Sequence, residues 1–393
     1  MTNISFADGF VVPSRKDKIL ALGEDGEELI KRVEFNVDGN YWNELPTPTH
    51  EDDWLAQYNE DPQSVSEWEK TFSKIKSRHK NEIQDFIYLI IINSENSSGD
   101  QNLRRNQIGA PIESLVDFVQ CFYYPKKVKL LNPIKIIDDD GKSKKSKKKN
   151  KIMVRYTPPK AKKGDYWEWD IKCRTAHRYD IHKTNKNERQ LAVDDIINIL
   201  SYILPEDAWC LCAITMEDLF EGNKDSFVSG MAAGRSHVGV FSFARYPLTH
   251  FDQLSASEKV VFAPESTSSN SKKRKHQISD EELFSAVLLR RSCKTLVHEI
   301  AHLLGIGHCI YFDCCMNGSG HLNEDFQQTI HLCPIDLHKV SKILGEDLLW
   351  QRYVKLYNFF IKNHMKGDAS WIEAIFKQDN KLEILHSGIG CTK

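Results

Sequence analysis

The stretch that decides the fold runs from His298 to Met316 and reads HEIAHLLGIGHCIYFDCCM. It begins His298-Glu299, reaches His302 four residues after the first histidine, and continues through Gly305 to His308. Two histidines four apart on a helix share one face about one turn apart, so both imidazoles reach one metal ion. Glu299, beside the first of them, stands where a general base must be to take a proton from an activated water. Gly305 tolerates the positive φ that ends a helix and turns the chain back. That reversal returns His308 as a third ligand. Three nitrogens leave one tetrahedral position open, the catalytic rather than the structural pattern of zinc. A bare His-Glu-x-x-His arises by accident in helices; the five-position pattern rarely does.

Beyond His308 the cysteines narrow the reading. Cys309 follows directly, Cys314-Cys315-Met316 supplies Cys-x-Met, and Cys333-Pro334-Ile335-Asp336 comes later. The extended histidine motif resembles that of the metzincins, and with these cysteines it resembles the archaemetzincins (archaelysin family). Their signature ends in Cys-Pro-x-Cys, and here Asp336 stands where the last cysteine would be. The flanks RRSCKTLV (Arg290–Val297) and DLHKV (Asp336–Val340) share the likeness, as does GVFSFARY (Gly239–Tyr246). It covers about residues 80–345.

The resemblance implies a zinc metallopeptidase with a metzincin-like zincin domain of the α/β (α+β) class: a mixed twisted sheet packed on the active-site helix. His298, His302 and His308 are then the ligands of a catalytic Zn²⁺, and Glu299 the general base. Met316 is the packed methionine beneath the three histidines. Cys309, Cys314 and Cys333 become three corners of a second, structural zinc site, with Asp336 as the fourth through a carboxylate oxygen. Cys315, His331 and His338 stay open as alternatives for that corner. In metzincins an edge strand pairs with the extended substrate through main-chain hydrogen bonds. The candidate is Val238, Gly239, Val240, Phe241, Ser242, Phe243 and Ala244; an ordinary interior strand is the alternative.

At 393 residues, 40% of them apolar, the chain can form a sizeable core. A formal net charge of −2 gives no overall bias toward nucleic acid or membrane. The absence of an opening apolar run and of any eighteen-residue apolar stretch predicts a cytoplasmic or nuclear protein, neither secreted nor membrane-spanning. Its ten cysteines are then expected as thiols, and those near the histidines as metal ligands. No Gly-rich phosphate loop and no Gly-x-Ser-x-Gly elbow is present.

Three regions are expected. Residues 1–80 read as an N-terminal extension, partly helical over 65–79, where Trp68, Phe72 and Ile75 recur at helical spacing. Residues 81–350 read as the catalytic domain, with strands over 87–92, 128–137, 209–216 and 238–244 and helices over 112–122, 191–204 and 281–306. Residues 351–393 read as a C-terminal helical segment, its helix beginning near Leu348. Two lysine-rich, apolar-poor tracts, 138–151 and 264–279, read as insertions. Neither interleaves aromatic with basic residues, so nucleic acid is not the expected partner; a peptide is.

The expected function is zinc-dependent peptide-bond hydrolysis, aminopeptidase-like on short peptides by the family resemblance. Two rival readings remain: a zinc-stabilised scaffold that does little chemistry, and a nuclear interaction protein working through its lysine tracts. The carboxylate of Glu299 weighs against the scaffold, which needs the histidines alone.

Overall fold

Runs such as FIYLIIINS and AWCLCAIT are too apolar to face water on either side, and they become the centre of the sheet. The computed structural model describes residues 4–23, 26, 42–76, 86–94, 112–137, 150–177, 187–222, 226–248, 250–262 and 279–387. Its strands are β1 (Phe86–Ser94), β2 (Lys127–Leu130), β3 (Ile134–Ile137), β4 (Lys151–Tyr156), β5 (Trp167–His177), β6 (Asn187–Ala192), β7 (Ala208–Thr215), β8 (Asp218–Phe220), β9 (Gly230–Ala233) and β10 (Val238–Ser242). They form one mixed sheet in the order β8-β6-β5-β4-β3-β1-β7-β10-β9, with β2 also beside β1.

The single strand expected over 128–137 is two segments. Both β2 and β3 run parallel to β1, along its two halves. Pro133, which has no N–H to donate, lies in the gap between them. The antiparallel arm β4–β5–β6 was not anticipated in the sequence.

The expected edge strand is corrected by the topology. Val238–Ser242 is paired on both sides, parallel to β7 and antiparallel to β9, and all five residues are buried. Phe243 and Ala244 lie past its end. Among the described residues the edge on this side is β9, whose GMAA sequence contains no β-branched residue to signal a strand.

Alternation along the sheet assigns its two faces. Ile87, Leu89, Cys210, Cys212 and Ile214 join one core with Leu115, Phe118, Leu296, Val297 and Ile300. These partners sit on Ile112–Phe122 and on the motif helix, Asp280–Leu303. Ile90, Ile92, Leu211, Ala213 and Val240 join a second core with Ile196, Ile199 and Leu200 of the helix Val193–Ile203. Cys210 and Cys212 are thus buried free thiols filling the first core.

Ser279 does not belong to the preceding tract: it caps the motif helix in a reciprocal capping box with Glu282. Lys151 likewise opens β4. The remainder of the two tracts, 138–149 and 264–278, lies outside the described residues. The helix Leu349–Lys362 appears as expected and is followed by Lys366–Gln378.

Candidate metal centre and active site

The motif helix carries His298 and His302 one turn apart and stops at Leu304. Gly305 then takes φ +78° and its N–H bonds to His302 O at 3.0 Å, so the chain turns sharply and His308 returns. The three imidazoles converge: His298 Nε2 and His302 Nε2 are 2.9 Å apart, and the His308 ring centroid is 5.0 Å from that of His302.

The Nδ1 partners decide what this convergence means. His298 Nδ1 donates to Cys315 O, His302 Nδ1 to Ile306 O, and His308 Nδ1 to Glu60 Oε1, each at 2.7 Å. Carbonyl and carboxylate oxygens only accept, so each Nδ1 carries the proton and each Nε2 of a neutral ring presents a lone pair. Burial, then the neighbouring histidines, holds His298 well below the usual histidine range, and burial with His308 brings His302 down to about 4. Bare lone pairs facing one another at 2.9 Å repel unless a cation lies among them. A tetrahedron with zinc–nitrogen bonds near 2.0–2.1 Å has edges of about 3.3–3.4 Å, a few tenths more than this separation. The donor set fits zinc.

Glu299 is partly exposed beside the histidines. Burial chiefly, then Asp325, pushes its carboxyl up to about 8, with Lys294 opposing. Met316 is fully buried in the core, and its carbonyl accepts the Cys309 N–H at 2.7 Å. Asn317 pins the same loop, accepting the Cys314 N–H at 2.7 Å and donating to Cys309 O and Phe312 O at 2.8 and 2.9 Å.

The second cluster assembles as the cysteine pattern implied, with Asp336 as the fourth member. Cys309 Sγ lies 3.6 Å from Cys333 Sγ, and Asp336 Oδ2 lies 3.3 Å from Cys314 Sγ and 3.5 Å from Cys333 Sγ. Zinc–sulfur bonds of about 2.3 Å and a zinc–oxygen bond of about 2.0 Å give tetrahedral edges of about 3.8 and 3.5 Å. These residues also fit a metal. Cys315 Sγ instead faces Lys294 O, and His331 stacks on Trp371 at 3.8 Å. His338 is not among the converging ligands either. Backbone N–H groups support the sulfurs, Cys333 N–H to Cys314 Sγ at 3.2 Å and Asp336 N–H to Cys333 Sγ at 3.4 Å. Burial raises the Cys314 and Cys333 thiols, while Cys309, against burial, is lowered by hydrogen bonds from those two.

A third grouping, Asp53, His321 and Glu324, is satisfied without an ion. His321 Nε2 donates to Asp53 Oδ1 at 2.8 Å, and its Nδ1 accepts the Glu324 N–H at 3.3 Å. Glu324 accepts the Trp54 N–H at 2.9 Å. Its work is to fasten the N-terminal segment onto the loop past the motif.

That segment is where sequence reasoning missed site residues. Glu60 Oε1 accepts from Trp54 Nε1 at 2.6 Å as well as from His308, and the Trp54 ring stands edge-on to His308 at 5.0 Å. Gln63 Nε2 donates to Gly305 O and Gln63 Oε1 accepts the Gly307 N–H, both at 3.0 Å. Trp68 Nε1 donates to Leu304 O at 3.1 Å. These residues lie more than two hundred positions from the motif, and no spacing rule connects them to it.

Comparison with known proteins gives the family. The pattern of Peptidase family M54 matches residues 238–342. Archaemetzincin-2 of Mus musculus is 30% identical over 331 residues, covering 84% of this chain and 77% of the mouse protein. Archaemetzincin-2 of Homo sapiens is 30% identical over 350 residues, covering 88% and 81%. The crystal structure of archaemetzincin from Methanopyrus kandleri is similar over 67% of this chain and 96% of that one, at 18% identity and a TM-score of 0.34. With two relatives matched over most of both chains, this chain belongs to the archaemetzincins, the zinc metallopeptidases of peptidase family M54.

Proposed function

We propose that His298, His302 and His308 hold the catalytic zinc, that Glu299 is the general base, and that the substrates are short peptides cut from the amino terminus. The observation that carries this is the commitment of all three Nδ1 atoms to oxygen acceptors, which leaves the Nε2 lone pairs converging. A zinc ion there supplies Lewis acidity to water and to the peptide carbonyl. Glu299 takes a proton from the attacking water and returns it to the leaving amine. Burial raises its carboxyl to about 8, toward the range in which a group both takes up and gives back a proton.

The peptide lies along β9. A Cβ added at Gly234, just past this strand, would sit 3.5 Å from His302 O, so the edge ends against the motif helix at the second ligand. Four residues of edge strand offer few main-chain hydrogen bonds, which suits a short substrate. Removal of amino-terminal residues follows the family resemblance. Cys309, Cys314, Cys333 and Asp336 hold a second, structural zinc that fastens the loop after His308. No helix among the described residues is long and apolar enough to cross a membrane.

The test is paired short peptides, one with a free and one with an acetylated amino terminus, followed by mass spectrometry. Stepwise loss of residues from the free peptides alone is expected. Internal cuts in both members of each pair would overturn the aminopeptidase assignment and leave the peptidase intact.

A further inference from the structure

His308 is the ligand whose position the motif helix does not determine. His298 and His302 ride on regular helix, whereas His308 comes after a reversal at Gly305 and is held by what it touches. Its Nδ1 is also the only one of the three to donate to a charged acceptor: Cys315 and Ile306 offer neutral carbonyls, and Glu60 offers a carboxylate. Glu60 is itself aimed, because its Oε1 also takes the Trp54 Nε1–H at 2.6 Å and the Trp54 ring closes one side of His308. Three residues further on, Gln63 clasps both Gly305 O and the Gly307 N–H at 3.0 Å. The turn that delivers the third ligand is thus gripped by one short piece of chain.

We infer that Glu60 is a positioning residue for the third metal ligand, so that Trp54, Glu60 and Gln63 complete the metal site and are no mere extension. A carboxylate on the far nitrogen fixes the ring's orientation and tautomer and makes Nε2 a stronger donor to a metal. Losing such a partner typically costs 10- to 100-fold in metal affinity. This inference rests on the reading that the three histidines hold zinc.

The experiment uses the full chain as wild type, Glu60→Gln, Glu60→Ala, Asp61→Asn and His302→Ala. Zinc affinity is measured by chelator competition, and the cobalt-substituted proteins give visible spectra. Glu60→Ala is expected to bind zinc about 10- to 100-fold more weakly at the histidine site, with a changed cobalt spectrum. Glu60→Gln, which keeps an oxygen acceptor but not the charge, should fall between, and Asp61→Asn should match wild type. Circular dichroism and thermal unfolding of Glu60→Gln identify any loss of fold. Wild-type affinity and an unchanged cobalt spectrum in both Glu60 variants would overturn the inference. If His302→Ala also kept wild-type affinity at every site, the zinc assignment would fall instead, so the two failures are distinguishable.

Discussion

Asp336 and Lys339 form a buried ion pair one helical turn apart, with Oδ1 2.9 Å from Nζ, while Asp336 turns its other oxygen to the thiols of Cys314 and Cys333. The carboxylate therefore has one oxygen for a metal and one for a cation. Burial raises the Asp336 carboxyl to about 6, with Lys339 opposing. Lys339 also donates to Gln63 Oε1 at 3.2 Å, so the cysteine cluster and the turn before His308 share a connecting residue.

Asp336→Ala removes the proposed fourth ligand and leaves Lys339 buried without its carboxylate partner. It is expected to lose the second metal and about 3–5 kcal/mol of stability. Asp336→Cys should retain the metal, since four thiolates complete the same shell. Metal analysis alongside thermal unfolding checks both. Full metal content in the alanine variant would contradict the ligand assignment.

Much of the site was legible because its residues are local. His298, Glu299, His302, Gly305 and His308 follow from helical geometry plus one turn, and Cys309, Cys314 and Cys333 follow by resemblance. Glu60 and Gln63 were not legible, since a lone acid and a lone amide carry no spacing signal and meet the motif only through tertiary packing. The central strands β1 and β7 announced themselves by unbroken apolar runs. The arm β4–β6 did not, because WEWDIKCRTAH and NERQLA mix charges through the alternation. Choosing between interior and edge for Val238–Ser242 required its partner strand, and GMAA gave no sign of being one.

Gly305 pairs a demanding backbone with a tight contact. At φ +78° an added Cβ would also meet Ile75 Cδ1 at 2.9 Å and Thr71 Cγ2 at 3.1 Å. Gly305→Ala is expected to cost at least about 1–2 kcal/mol from the left-handed backbone alone. It should also weaken metal binding by shifting His308. Chemical denaturation with parallel zinc titration would show both, and wild-type values in each would contradict the role given to the turn.

Arg290 and Asp368 make a second buried pair, Nε to Oδ2 2.9 Å and Nη2 to Oδ1 3.2 Å. Burial works to raise the Asp368 carboxyl, but the Arg290 charge and the hydrogen bonds to Asp368 prevail and hold it at about 2. An unfolded aspartate titrates near 3.9. Since the folded value is the lower, the pair's contribution is complete above about pH 4 and is lost as pH falls toward about 2. Asp368→Asn should cost about 3–5 kcal/mol near neutral pH, with Arg290 left buried and unpaired. The gap to wild type should narrow at about pH 3. Equal gaps in urea unfolding at the two pH values would contradict this.

Removing residues 140–147 and 265–276 trims the two lysine-rich tracts while leaving β3, β4 and the Ser279 cap intact. Peptide cleavage by the shortened chain should equal that of wild type. Loss of cleavage with the fold preserved would bring back the reading in which the tracts carry the function.

The most direct test compares wild type with Glu299→Gln, both brought to the same measured zinc content, on a mixture of short peptides read by mass spectrometry. The variant keeps all three histidines and loses only the proton acceptor. Cleavage by wild type that falls about 10²- to 10⁴-fold in the variant is the predicted result. Equal cleavage by the two zinc-loaded proteins would contradict the assignment of Glu299, and with it the account of this site.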